Sequence, residues 1–206
     1  MISDAKIEVV SLRTIRLDPQ SYRRTPWKNG GGVTVDIADA YAAGAERGAW
    51  SGMLWRFGHT RIVAPAPFSD LTGYDRILTV IGGRGLLLDI AGGATLHVRA
   101  PFRPVRFRGE DRITSRLEAG PVNVLNLLAD RTRYAIDVAI LGGGDARALD
   151  HTTGIAYALE DSAITAGGAA LRLDQDEALR IEATDDLLGI ASGRVALAMI
   201  SSRSAP

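Results

Sequence analysis

The chain has 206 residues, with 24 Lys and Arg against 24 Asp and Glu, so its formal net charge is zero. That balance excludes a broadly basic nucleic-acid binder whose affinity rests on neutralising many phosphates. The absence of cysteine excludes a disulfide framework, a thiolate metal site and a cysteine nucleophile.

Only Lys6 and Lys28 are lysines among the basic residues, and only His59, His97 and His151 are available for metal ligation or imidazole chemistry. With 46% hydrophobic residues the chain is globular and long enough to bury a large core. No run approaches the ~18 apolar residues of a membrane helix, and Asp4, Lys6 and Glu8 interrupt what would be the apolar part of a secretion signal. A cytoplasmic protein with no membrane partner is expected.

In chain order, the first distinctive segment is Pro26-Trp27-Lys28-Asn29-Gly30-Gly31-Gly32, which leads into an alternating run from Val33 to Ala38. Consecutive glycines permit left-handed backbone and close approach of the main chain to another group. Lys28 adds a compact charge with three donors. Such a segment suits either a small anion site or a bulged turn with an exposed lysine; it is not a P-loop, whose residue order is absent. The Ala-rich stretch 38–47 carries the chain's one weak helical signal.

Trp50 to Ile62 reads as a strand with Trp55, Phe57 and His59 on one face and Arg56 on the other. A turn-rich loop from Pro67 to Asp75 ends at Arg76, where further glycine-bounded strands begin: 76–81, 85–90, 94–98 and 103–107. Arg76 has the fork either to hold a ligand carboxylate or simply to pair with a nearby acid of the chain, the commoner use of such a residue. Arg99, Arg103, Arg106, Arg108, Arg112 and Arg116 form a basic stretch whose alternation places Arg106 and Arg108 on one solvated side of a strand. Too few aromatics accompany them for an RNA surface.

Strand patterning continues through 171–173, 178–181 and 195–200 after a triple glycine at 142–144. Short strands at this spacing predict an all-β sandwich or barrel. Residues 1–138 hold 19 basic and 14 acidic residues, and residues 139–206 hold 5 and 10. Any anion site is therefore expected in the first part.

The ordered motifs resemble those of the HutD/Ves family. Its proline-tryptophan-lysine-asparagine-triglycine signature stands at Pro26 to Gly32. Trp55-Arg56, Pro67-Phe68-Ser69, Gly73-Tyr74-Asp75-Arg76, Phe107-Arg108-Gly109 and Gly120-Pro121-Val122-Asn123, leading to Asn126, follow in the family's order. Ala66, Thr72 and Asn123 depart from the family pattern, and Asn123 removes a negative charge. The resemblance implies an all-β bicupin, with a first barrel over 1–138 and a smaller one over 139–206, and a link to histidine degradation. It makes Lys28, Asn29, Arg56, Arg76 and Asn126 the candidate ligand contacts.

Cupin metal sites use two histidines one residue apart, and here the nearest pair is His59 and His97. No metal or cofactor is therefore expected, and with no nucleophile elbow of the G-x-S-x-G kind no catalytic residue is singled out. The leading expectation is a non-catalytic binder of a small carboxylate such as urocanate, formylglutamate or formate, with no nucleic-acid partner and with a homodimer compatible with barrels of this kind. The alternatives are a metal-independent hydrolase or isomerase using Asp36, Asp75 or His59 as general base, and an interaction module using the acidic second part.

Overall fold

The computed structural model describes residues 13–27 and 30–203, with 151 and 183–186 described by backbone alone. The alternating runs become strands wherever a glycine or a turn lets the chain reverse. In the first part these are β1 (Arg13–Leu17), β2 (Arg23–Pro26), β3 (Gly32–Tyr41), β4 (Met53–Ile62), β5 (Ala66–Pro67), β6 (Tyr74–Gly82), β7 (Leu86–Ile90), β8 (Thr95–Val98), β9 (Pro104–Arg108), β10 (Ile113–Leu117) and β11 (Val122–Asp130). The second part adds β12 (Tyr134–Gly142), β13 (Ala146–Ala158), β14 (Ser162–Ala166), β15 (Ala169–Leu173), β16 (Ala178–Ser192) and β17 (Arg194–Ser202).

Three antiparallel sheets result. A six-stranded sheet runs β2-β3-β4-β11-β6-β9, and a four-stranded sheet runs β5-β10-β7-β8. Their facing sides bury Ile62, Leu78, Val80, Leu86, Leu88 and Ile113 as one core. A seven-stranded sheet runs β12-β17-β13-β16-β14-β15 with β1 added on β16. It curls about a core of its own that includes Leu149, Ile164, Leu173, Ile181, Leu188 and Leu197.

A third core joins the two units. Trp55, Phe57, Ile77, Leu125 and Leu127 project from the outer face of the six-stranded sheet onto Ile155, Tyr157, Ala196, Ala198 and Ile200 of the seven-stranded one. Each large apolar side chain buried there contributes about 1.5–3 kcal/mol. Further ties cross the divide, among them the pairing of β1 with β16 from Arg13↔Glu182 to Leu17↔Ala178 and the bond that Arg106 of β9 donates to the Ile136 carbonyl of β12. The chain passes between the units through the turn after β11, whereas the triple glycine at 142–144 makes the β12–β13 turn inside the second unit.

The fold is all-β, as expected. The Ala-rich stretch 38–47 is not helical: β3 continues to Tyr41 and the chain then turns, with Ala42 N–H donating to the Gly52 carbonyl. Pairing with β4 and burial of Ala38 override the local alanine preference.

Candidate functional site: an arginine-lined cavity in the first unit

The four central strands of the six-stranded sheet alternate faces, and one face is closed over by the loop that carries Pro67 to Leu71. Between them is a cavity of about 470 Å³. Thr34 and Asp36 of β3 face it, as do Arg56, Gly58, Thr60 and Ile62 of β4, Arg76 of β6, and Asn126 and Leu128 of β11. Trp27, Trp50 and Phe68 supply aromatic walls.

The strands fit because of one bulge and one glycine. Register shifts between Asp36 and Ala38, so that Asp36 lies opposite Gly58 while Ala38 lies opposite Phe57. The extra residue, Ile37, lets Asp36 and Asp39 reach the same cation: Arg23 Nη2 is 2.6 Å from Asp36 Oδ2 and 3.2 Å from Asp39 Oδ2. A Cβ on residue 58 would collide with the Val35 carbonyl. Only glycine lets β3 approach β4 this closely at the cavity floor.

A polar strip crosses that floor. Trp27 Nε1 donates to Thr34 Oγ1 at 2.8 Å, Thr34 and Thr60 hydroxyls are 3.1 Å apart, and Asn126 Nδ2 is 3.5 Å from Thr60 Oγ1. Trp27 is anchored by its own turn, its N–H donating to the Gly32 carbonyl at 2.9 Å.

Charge is distributed unevenly among the walls. Asp36, 5% exposed, is held by Arg23 and has Oδ1 3.4 Å from Arg56 Nε. Arg56 also lies over the Trp50 ring, 4.4 Å from its centroid. Burial lowers the Arg56 pKa, and Asp36 partly offsets that.

Arg76 is different. It is 9% exposed and its guanidinium lies against Phe68 and Phe107, which stack on each other, at 5.0 and 4.9 Å from the two ring centroids. Its polar contact to the chain among the described residues is a long 3.5 Å approach of Nη1 to the Ser69 carbonyl, and Nε has no partner. No carboxylate pairs with it there. Burial, and then the nearby charge of Arg56, push its pKa down to about 10, which still leaves the group charged at neutral pH. Buried charges are ordinarily paired, so among the described residues the cavity holds a cation without a paired anion.

Of the candidate contacts read from the sequence, Arg56, Arg76 and Asn126 come together in this cavity. Lys28 and Asn29 lie outside the described residues. Of the candidate bases, Asp36 lines the cavity but is engaged by two arginines. Asp75 faces away, 3.4 Å from Arg131 Nε, and His59 is on the opposite face of β4, stacked on Tyr157. Sequence reasoning did not single out Trp50, Phe68, Thr34 or Thr60 as cavity walls; the inward alternation of Thr34 and Thr60 was the one signal that could have found them. Among the described residues no group of three or more His, Asp or Glu is placed to hold a metal ion. The cavity's donor set, two guanidinium groups and a single engaged carboxylate, does not fit a divalent cation.

The HutD family profile matches residues 19–199. The chain belongs to the HutD family. A relative in Pseudomonas putida, an uncharacterized 21.2 kDa protein in the hutC 3′ region, is 32% identical over 190 residues, spanning 91% of this chain and 97% of that one. The structure of HutD from Pseudomonas fluorescens SBW25, in a formate condition, is 27% identical and superposes with a TM-score of 0.77 over 93% of this chain and all of that one. A conserved protein of unknown function from Pseudomonas aeruginosa PAO1 is 25% identical, with a TM-score of 0.79 over 94% of this chain and all of that one. The cupin-like fold extends to far more distant sequences, such as the Escherichia coli protein Ylba, 9% identical with a TM-score of 0.64 over 95% of this chain and 93% of that one. The signature segment and the cavity residues Arg56, Arg76 and Asn126 all fall within the part matched to HutD.

Proposed function

We propose that this HutD-family chain is a cytoplasmic binding or regulatory protein of histidine utilisation, whose cavity takes a small carboxylate such as urocanate, formylglutamate or formate. The observation that carries this reading is Arg76: a buried guanidinium with no carboxylate partner among the described residues, inside a cavity of a size suited to a small molecule. A ligand carboxylate supplies the missing charge and accepts the fork of donors. Aromatic walls at Trp27, Trp50 and Phe68 cover the ligand's body, while Asn126 and the threonine hydroxyls orient its polar end. Lys28, in the signature segment, is proposed as a second cation for the same anion and Asn29 as a further orienting amide.

A ligand that binds only the folded protein raises its melting temperature by mass action. Urocanate, formylglutamate, formiminoglutamate and formate, tested singly, are expected to include at least one that does so, with the rise lost in Arg76→Gln and reduced in Lys28→Ala. No shift with any of these acids would overturn the reading. A catalytic reading has less support, because the one candidate base on the cavity wall, Asp36, is already held by Arg23 and Arg56.

A further inference from the structure

A second cleft, of about 400 Å³, opens where the two units meet, on the far side of β4 from the arginine-lined cavity. Its first wall comes from the six-stranded sheet and its loops: His59, Ile81, Phe102 and Asn123. Its second wall comes from the other unit: Tyr157 near the end of β13 and Glu160 just past it, Gln175 and Asp176 in the turn before β16, and Arg194 at the start of β17.

Two features set this cleft apart from an ordinary seam. Among the described residues just two that are not glycine adopt left-handed backbone, Phe102 at φ 64° and Asp176 at φ 69°, and both line it. Glycine relieves such strain at 13 other positions, so the side chains at 102 and 176 are kept at a cost of order 1 kcal/mol each. Each is used in the cleft. Phe102 lies beneath the Arg194 guanidinium, 4.8 Å from ring centroid to Cζ. Asp176 accepts the Tyr157 hydroxyl at 2.5 Å.

The second feature is polar capacity left unspent. Neither ring nitrogen of His59 has a hydrogen bond among the described residues, although the ring is packed on Tyr157 at 6.3 Å. Burial lowers its pKa, so at neutral pH it offers one donor and one acceptor. Arg194 Nη1 stands 3.8 Å from Glu160 Oε1, an ion pair too long for a hydrogen bond. The second carboxylate oxygen of Asp176 accepts nothing among the described residues. The cleft thus presents groups of both signs, Arg194 and Glu160 among them partly open to solvent, a few side chains apart. A simple anion would face two carboxylates and a simple cation would face Arg194, whereas a ligand carrying both charges meets a partner for each.

We propose that this cleft is a second ligand site and that it binds a free α-amino acid as its zwitterion. The α-ammonium group donates to Asp176 and Glu160, and the α-carboxylate accepts from Arg194 and the Asn123 amide. His59 and Tyr157 form the floor.

The test is an NMR titration of the full chain, observing the His59 ring signals, with each proteinogenic α-amino acid. The matching amines and the matching acids that lack the amino group serve as controls. At least one amino acid is expected to shift His59 saturably, with neither of its controls doing so. Its affinity falls tenfold or more in Asp176→Asn and in Arg194→Gln, each of which removes a charge-assisted hydrogen bond. Asp176→Asn keeps an acceptor for Tyr157, and Arg194 is on the surface, so both variants test binding in a folded protein. Absence of any shift, equal binding of the amine or acid controls, or wild-type affinity in both variants would each overturn the proposal.

Discussion

On the proposed reading, Arg76 serves a ligand more than the fold. Its guanidinium gains two aromatic faces, a contribution on the order of 0.5–2 kcal/mol each in a desolvated setting. It gives up most of its hydration without an ion-pair partner among the described residues. Even a buried ion pair replaced by apolar groups of similar volume is often neutral or stabilising by about 1–4 kcal/mol, and Arg76 has no ion pair to lose among the described residues. Arg76→Met is therefore expected to unfold at the same or a higher denaturant concentration than the wild type, while losing every carboxylate-dependent gain in melting temperature. A loss of about 2 kcal/mol without ligand, measured by urea unfolding, would instead make Arg76 a structural residue. Its place at the start of a strand after a turn-rich loop was legible in the sequence. Its isolation was not, because whether a cation has a partner depends on what the other strands bring to it. Trp50 shows the same limit: it precedes β4 and covers the Arg56 guanidinium only because the loop before that strand folds back.

At the scale of elements, alternation carried most of the reading. The prediction that Trp55, Phe57 and His59 share one face of a strand with Arg56 on the other holds along β4, and it is this division that separates the two clefts. What alternation does not reveal is the bulge at Ile37, since one inserted residue depends on the partner strand's register rather than on the local pattern. Gly58 marks the place. A methyl group there would drive β3 away from β4 at the Val35 carbonyl, and overpacking of this sort costs about 1–3 kcal/mol. Gly58→Ala is expected to lower stability by that amount in urea unfolding and to weaken carboxylate binding, because it displaces Asp36 and Arg56 together. Unchanged stability would mean that the strands move apart freely. The helical signal at 38–47 failed for the converse reason: burial and strand pairing outweigh a few tenths of a kcal/mol per residue of local preference.

For the whole molecule, the zero net charge conceals a positive first part and a negative second part, and the two units meet through an apolar core flanked by the charged cleft. His59 lies at that meeting point. Burial is the largest influence on it and lowers its pKa below the usual 6.5; Asp176 acts in the opposite direction and Arg24 adds to the lowering. The unfolded chain then takes up a proton at a higher pH than the folded one. The corresponding stability is fully present above about pH 6.5 and is lost as pH falls from there through the lowered folded value. Unfolding free energies measured at about pH 7.5 and about pH 5.5 should differ less in His59→Gln than in the wild type; an equal difference would remove His59 from the pH response. The all-β fold and the positive character of the first part were both legible from composition and glycine spacing. The joining of β1 to β16 was not, because it pairs segments about 165 positions apart that share no local signal.

The most direct measurement of whether the first cavity is a carboxylate site is a crystal structure of the protein grown with urocanate. A carboxylate oxygen within about 3 Å of an Arg76 Nη atom, with the ligand's body between the aromatic walls, is the expected result. An empty cavity at saturating urocanate, with Arg76 paired to a carboxylate of the chain itself, would contradict it.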